Sequence, residues 1–153
     1  MQNASPPFHP GQFVWCNFPY DENPIRPGPE EHLTYIINVK KLPDGTFLAV
    51  CLYTTSQPWR KTEQPPIGII PIEEIDAKAL GQKPFVIDVR RMAYIPINKQ
   101  FFGRFDTPDK GILPKHATKL LQNKILNSAA ELLKRPEYII QLGPLRPKLG
   151  RER

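Results

Sequence analysis

Leu33-Thr34-Tyr35-Ile36-Ile37-Asn38-Val39-Lys40 runs into Pro43-Asp44-Gly45 and returns through Thr46-Phe47-Leu48-Ala49-Val50-Cys51-Leu52-Tyr53. Two runs rich in β-branched and aromatic residues flank a proline and a glycine able to take positive φ, which predicts a β-hairpin closed by a tight turn. Upstream, Gln12 to Phe18 sets Phe13, Trp15 and Asn17 against Val14, Cys16 and Phe18. Large apolar groups on both sides predict a strand buried on more than one flank, as in a barrel wall. Between these strands, Pro19 to His32 holds four prolines, one glycine and several charges. That composition excludes regular structure and predicts a mobile loop.

Downstream, Ile67 to Pro71 predicts a short strand, and Ile72 to Leu80 has helical spacing through Ile72, Ile75 and Ala79. Phe85 to Ile97 predicts one long strand, or two, kinked near Arg90-Arg91. Residues 98–113 read as an irregular connection in which Phe101, Phe102 and Phe105 pin the chain to the core rather than stack bases. From Pro114 to Lys134, Ala117, Leu120, Leu121, Ile125, Ser128, Ala129 and Leu132 form one face of an amphipathic helix that Pro136 stops. Tyr138 to Leu142 adds a late strand. The order predicts a mainly β protein with helices (α+β), a compact β-barrel with a helix packed across it. Residues 1–10 read as a loose arm, 11–142 as the domain, and 143–153 as a basic tail.

A chain of 153 residues that is 40% hydrophobic is long enough for one domain with a real core. Its 19 prolines follow no repeat and are expected between short strands, because proline cannot donate to a central ladder. The formal net charge of +6 favours polyanionic partners. Cys16 and Cys51 lie in apolar runs and read as buried thiols. His9, His32 and His116 are scattered without metal-ligand spacing, and no metal or cofactor is expected. No signal peptide or membrane-length apolar run is present in the sequence, so a soluble cytoplasmic protein without membrane contact is expected.

No Gly-rich phosphate loop, H-E-x-x-H motif or Cys/His nucleophile motif occurs. What remains is Arg26 in the proline loop and the hydroxyls Thr54, Thr55 and Ser56 at a strand end. A guanidinium binds two phosphate oxygens through its planar fork and can stabilise the extra charge of a pentacoordinate transition state. Hydroxyls can donate to the same group. On residue type alone, Arg26 serves equally well as an exposed loop charge, and the hydroxyl run as an ordinary strand end.

Gly11-x-x-Val14-Trp15-x-x-Phe18-Pro19, then Arg26-Pro27, then an apolar strand, then Cys51-Leu52-Tyr53-Thr54-Thr55-Ser56 resembles the MazF/PemK family of toxin endoribonucleases. The resemblance covers about the first sixty residues, and the helix at 114–134 has the place of the family's terminal helix. It implies a small SH3-like β-barrel with a C-terminal helix, dimeric, that cuts single-stranded RNA without a metal. It further implies a bacterial growth-inhibiting toxin neutralised by an acidic antitoxin. In that family the 2′-hydroxyl attacks the adjacent phosphorus, leaving a 2′,3′-cyclic phosphate and a 5′-hydroxyl. Arg26 matches the catalytic arginine and Thr54 the catalytic threonine that holds the scissile phosphate, with Thr55 and Ser56 as substrate-binding neighbours. Residues 28–32 are an insertion relative to that pattern, and the family's downstream Asp-Gln has no clean counterpart near Asp88. The alternative expectation is a diverged, non-catalytic barrel of the same fold that binds nucleic acid or protein.

Overall fold

The hairpin forms as its sequence predicts. In the computed structural model, which describes residues 5–56, 67–103 and 115–147, β2 (His32–Lys41) and β3 (Phe47–Thr55) pair antiparallel. At the turn Gly45 takes φ +91°, and its amide donates to the Leu42 carbonyl at 2.9 Å. Asp44 accepts from both the amide and the hydroxyl of Thr46, and these bonds hold its carboxyl below the usual range. On the other side β2 pairs with β1 (Gln12–Cys16), aligning Phe13 with Tyr35.

Beyond β3 the sheet continues into β5 (Phe85–Pro96) and ends at β4 (Ile69–Ile72). At the opposite end β6 (Lys115–His116) adds to β1. The path is β4-β5-β3-β2-β1-β6, antiparallel throughout, and β7 (Ile140–Leu142) joins β5 in parallel. The described residues are therefore mainly β, with two α-helices. Among the described residues β4 and β6 do not pair with each other. Pro71 lies in the edge strand β4 and Pro96 ends β5, the positions a residue without an amide hydrogen tolerates.

Strand alternation divides the apolar side chains into two cores. Phe13, Tyr35, Val50, Leu52, Ile87 and Met92 point one way; Val14, Cys16, Ile36, Ala49, Cys51, Ala93 and Ile95 point the other. A bulge places Ile37 between two paired residues and reverses the alternation, so Val39 joins the second group. The helix α2 (Lys119–Leu133) covers the first face with Leu121, Ile125 and Leu132. Phe8, Phe101, Phe102 and Leu142 cover the second. Phe8 packs on Phe102 at 5.0 Å, so the segment read as a loose arm is anchored at its inner end. Phe101 and Phe102 pin their connection to the core as expected, and Phe105 lies outside the described residues.

The kink expected near Arg90-Arg91 is a corner in one strand. Tyr53 pairs with Asp88 while the preceding Leu52 pairs with Met92, leaving residues 89–91 unmatched on β5. Val89 instead donates to the Gly68 carbonyl at 2.8 Å, and Arg91 aligns with Ile140 of β7. The corner thus passes β5 from β4 to β7.

Both helices are shorter than their periodicity predicts. Residues 115–116 pair with β1, and Thr118 caps α2 by accepting from the Leu121 amide at 3.2 Å. Pro114 lies outside the described residues. Leu120, assigned to the buried face, is 82% exposed because it lies one residue round the helix from the Leu121–Ile125–Leu132 stripe. The smaller helix α1 (Glu74–Ala79) starts after Ile72, which completes β4; Ile75 is exposed, and Ala77 is the residue it buries. Tyr138 belongs to a 3₁₀ turn (Pro136–Tyr138), so the late strand is only Ile140–Leu142. No described helix is long and apolar enough to cross a membrane.

Leu132 is fully buried under α2 whereas neighbouring Leu133 is 72% exposed. Leu132→Ala is expected to cost about 3 kcal/mol in urea denaturation, while Leu133→Ala stays within about 0.5 kcal/mol. Burial also raises the Tyr35 phenol to about 12 from the ordinary 10.0. The folded state then holds this proton more tightly than the unfolded state, so the contribution is intact below about pH 10 and is lost as pH rises toward about 12. Denaturation midpoints measured across that window are expected to fall with pH, and to fall less in Tyr35→Phe.

Candidate functional site

Arg26 sits on the connection from β1 to β2, and hydrogen bonds frame this segment. The Asn17 side chain donates to the Gly28 carbonyl at 3.0 Å, and the Gly28 amide donates to the Asn17 carbonyl at 3.2 Å. Gly28 passes so close to the Phe18 carbonyl that a Cβ would collide with it, and the Tyr20 ring crowds the same position. Within the segment, the Asn23 amide bonds the Tyr20 carbonyl and the Arg26 amide bonds the Asn23 carbonyl. Pro24 accepts from the Gly143 amide at 2.7 Å, tying the segment to the chain that follows β7. Gly143 has φ +95° and lies against the Tyr94 backbone, a position no Cβ could occupy. The expected mobile loop therefore has an internal frame and a distant anchor.

Arg26 itself is exposed, and its guanidinium makes no hydrogen bond or ion pair among the described residues. Thr54 lies at the end of β3, 5% exposed, and its hydroxyl donates to the Leu33 carbonyl. Its hydrogen is thus engaged by the backbone of β2, leaving the oxygen as an acceptor. Thr55 is half-buried and Ser56 exposed. No hydrogen bond joins Arg26 to Thr54. Their segments are linked through neighbours instead.

The linking residues carry charge and rings that the sequence pattern did not assign to a site. Asp88, buried at the β5 corner, accepts from Arg90 Nε at 2.8 Å and Nη2 at 3.0 Å, and faces Arg91 Nε at 3.6 Å. These bonds raise the Arg90 pKa further above its ordinary value. Arg91 also pairs with Asp21, from the same connection as Arg26, and its guanidinium lies 5.9 Å from the centre of the Tyr53 ring. Tyr53 immediately precedes Thr54. Ion pairs therefore join the Arg26 connection to the β5 corner, and a cation–π contact extends the link to Tyr53 near the end of β3. The sequence signals were present: two adjacent arginines after an aspartate, inside a strand too long to stay straight.

The thiols of Cys16 and Cys51 are free and buried, as expected from their apolar runs. Burial, with Cys51 and Glu31 nearby, pushes the Cys16 thiol well above its ordinary value, so it is held as the neutral, inert form.

No family model matches the chain, and no curated protein or solved structure matches it.

The two aspartates that grip Arg91 differ in burial, with side chains 8% exposed for Asp88 and 51% for Asp21. Asp88→Ala is expected to lower stability by about 2 kcal/mol, because it leaves two arginines without their shared acceptor. Asp21→Ala is expected to cost less than about 1 kcal/mol. Chemical denaturation of the two variants beside the parent chain measures the contrast.

Proposed function

We propose that this protein is a metal-independent endoribonuclease that cleaves single-stranded RNA, built on an SH3-like barrel of the MazF/PemK kind. The observation that carries the proposal is the unpartnered Arg26 guanidinium, on a connection that the Asp21–Arg91 pair draws toward the Tyr53–Thr54 end of β3. A charged fork left without an internal acceptor, on a segment tied through Asp21 and Arg91 to the strand that carries the hydroxyls, suits a phosphodiester. The resemblance of residues 11–56 to the family pattern supplies the reaction type.

In this reading the 2′-oxygen of the substrate forms a bond to the neighbouring phosphorus, and the bond from phosphorus to the 5′-oxygen breaks. The 2′-hydroxyl loses a proton and the departing 5′-oxygen gains one. Arg26 stabilises the charge on the phosphorane oxygens, which exceeds that of the ground state. Thr54 holds the phosphate from the β3 end, with Thr55 and Ser56 as supporting hydroxyls; donation from Thr54 requires exchange of its bond to the Leu33 carbonyl. The protein then acts as a cytoplasmic homodimeric toxin, and its +6 charge is complementary to an acidic antitoxin as well as to RNA.

The engagement of the Thr54 hydroxyl by Leu33 favours a second reading, a barrel that binds RNA without cutting it. Product analysis separates the two. Purified protein with a chelator and a mixed-sequence single-stranded RNA is expected to yield fragments ending in 2′,3′-cyclic phosphate. Arg26→Ala is expected to slow this by roughly 100-fold or more. Equal cleavage by the variant would remove Arg26 from the mechanism, and salt-sensitive binding without product would establish the second reading.

A further inference from the structure

A row of rings beside the proposed phosphate site has no role in that chemistry. The Tyr53 ring centre lies 5.2 Å from Phe18 and 5.4 Å from His32, and His32 lies 6.5 Å from Tyr20. Phe18 is buried, but Tyr20, His32 and Tyr53 are half-buried, as is Arg91 beside them. The rings come from the β1–β2 connection, the start of β2 and the end of β3, so the fold assembles them from separate places.

Within this row the Nε2 atom of His32 is buried and has no hydrogen-bond partner, a condition met by no other side-chain nitrogen or oxygen among the described residues. Folded proteins pair nearly all such atoms, because an unsatisfied one forfeits its hydration without return. The Tyr20 ring meets His32 at 63°, and its hydroxyl makes no hydrogen bond among the described residues. Turning that ring parallel to an incoming plane therefore breaks no polar contact. Arg91 holds Asp88 through Nε and Asp21 through Nη1, and its Nη2 makes no hydrogen bond among the described residues, so it can take a further anion without losing either.

A ligand matching these features is flat, has a hydrogen-bonding edge and carries a negative group nearby. A nucleotide unit has all three, and aromatic faces bind unpaired bases well. An acidic peptide would satisfy Arg91 but would bring no flat edge to His32. We propose that Tyr20, His32 and Tyr53 form a base-binding subsite for single-stranded RNA, with the base face on Tyr20, its edge at His32 Nε2 and its phosphate at Arg91. This rests on the endoribonuclease reading and adds to it a source of sequence preference, since an edge contact distinguishes bases where stacking alone does not.

The test uses four labelled homopolymer oligonucleotides with 2′-O-methyl sugars, which present bases and phosphates but cannot undergo attack by a 2′-hydroxyl. Fluorescence anisotropy of the full chain is expected to show binding with a preference among the four bases. Tyr20→Ala is expected to weaken binding about 10-fold while Tyr20→Phe retains it, because the ring face and not the hydroxyl makes the contact. His32→Phe is expected to retain binding and level the base preference. Thermal melts show whether each variant is folded. Binding by Tyr20→Ala equal to the parent, or a base preference unchanged in His32→Phe, would overturn the subsite while leaving cleavage of ordinary RNA intact. Absence of single-strand binding and of cleavage in the parent chain would overturn the endoribonuclease reading together with it. Competition by an acidic peptide that needs Tyr20 and His32 equally would also overturn the assignment to a base.

Discussion

Burial of the sheet on both faces is the constraint on which everything else rests. A sheet with one solvated face can alternate apolar and polar residues along each strand. Here β3 alternates Val50 and Leu52 with Ala49 and Cys51, and both sets are buried. Each face then needs its own cover, and the chain supplies two of unlike kind. A regular helix spans one face, and separate aromatic anchors from residues 8, 101 and 102 close the other. Apolar burial contributes on the order of 25 cal/mol per Å². The N-terminal segment carrying Phe8 and the connection carrying Phe101 and Phe102 are therefore structural members.

The same requirement accounts for where polar chemistry gathers. A twelve-residue strand buried on both sides cannot remain flat, and β5 turns its corner at residues 89–91. Asp88 stands at that corner and pairs with both arginines the bend brings forward. Because Arg91 also reaches Asp21, the bend adds one exposed contact to the β1–β2 connection that carries Arg26. The charged cluster follows from the geometry of the core rather than being added to a finished scaffold.

The hairpin was legible because Pro43-Asp44-Gly45 admits few conformations and its flanking runs have no helical spacing. The bend in β5 was legible because arginines interrupted an otherwise apolar strand. The start of α2 was not: Ala117 and Leu120 fit the helical period, but pairing of residues 115–116 with β1 and the Thr118 cap override it. Helical spacing could not show that Ile72 belongs to an edge strand and not to the first turn of a helix. Of the candidate site, residue type and family pattern gave Arg26 and Thr54. The Leu33 carbonyl that engages Thr54 and the rings of Tyr20, His32 and Tyr53 were hidden, because each depends on strand register and on segments distant in sequence.

The bond from the Gly143 amide to the Pro24 carbonyl joins the candidate arginine's segment to a point more than a hundred residues later. Synthesis proceeds from the N-terminus, so β1, β2 and β3 emerge and can begin to pair long before residue 143 exists. The distant anchor of this segment can form only after β7 has been made and laid beside β5. Order of translation thus separates the assembly of the core from completion of the segment that carries Arg26.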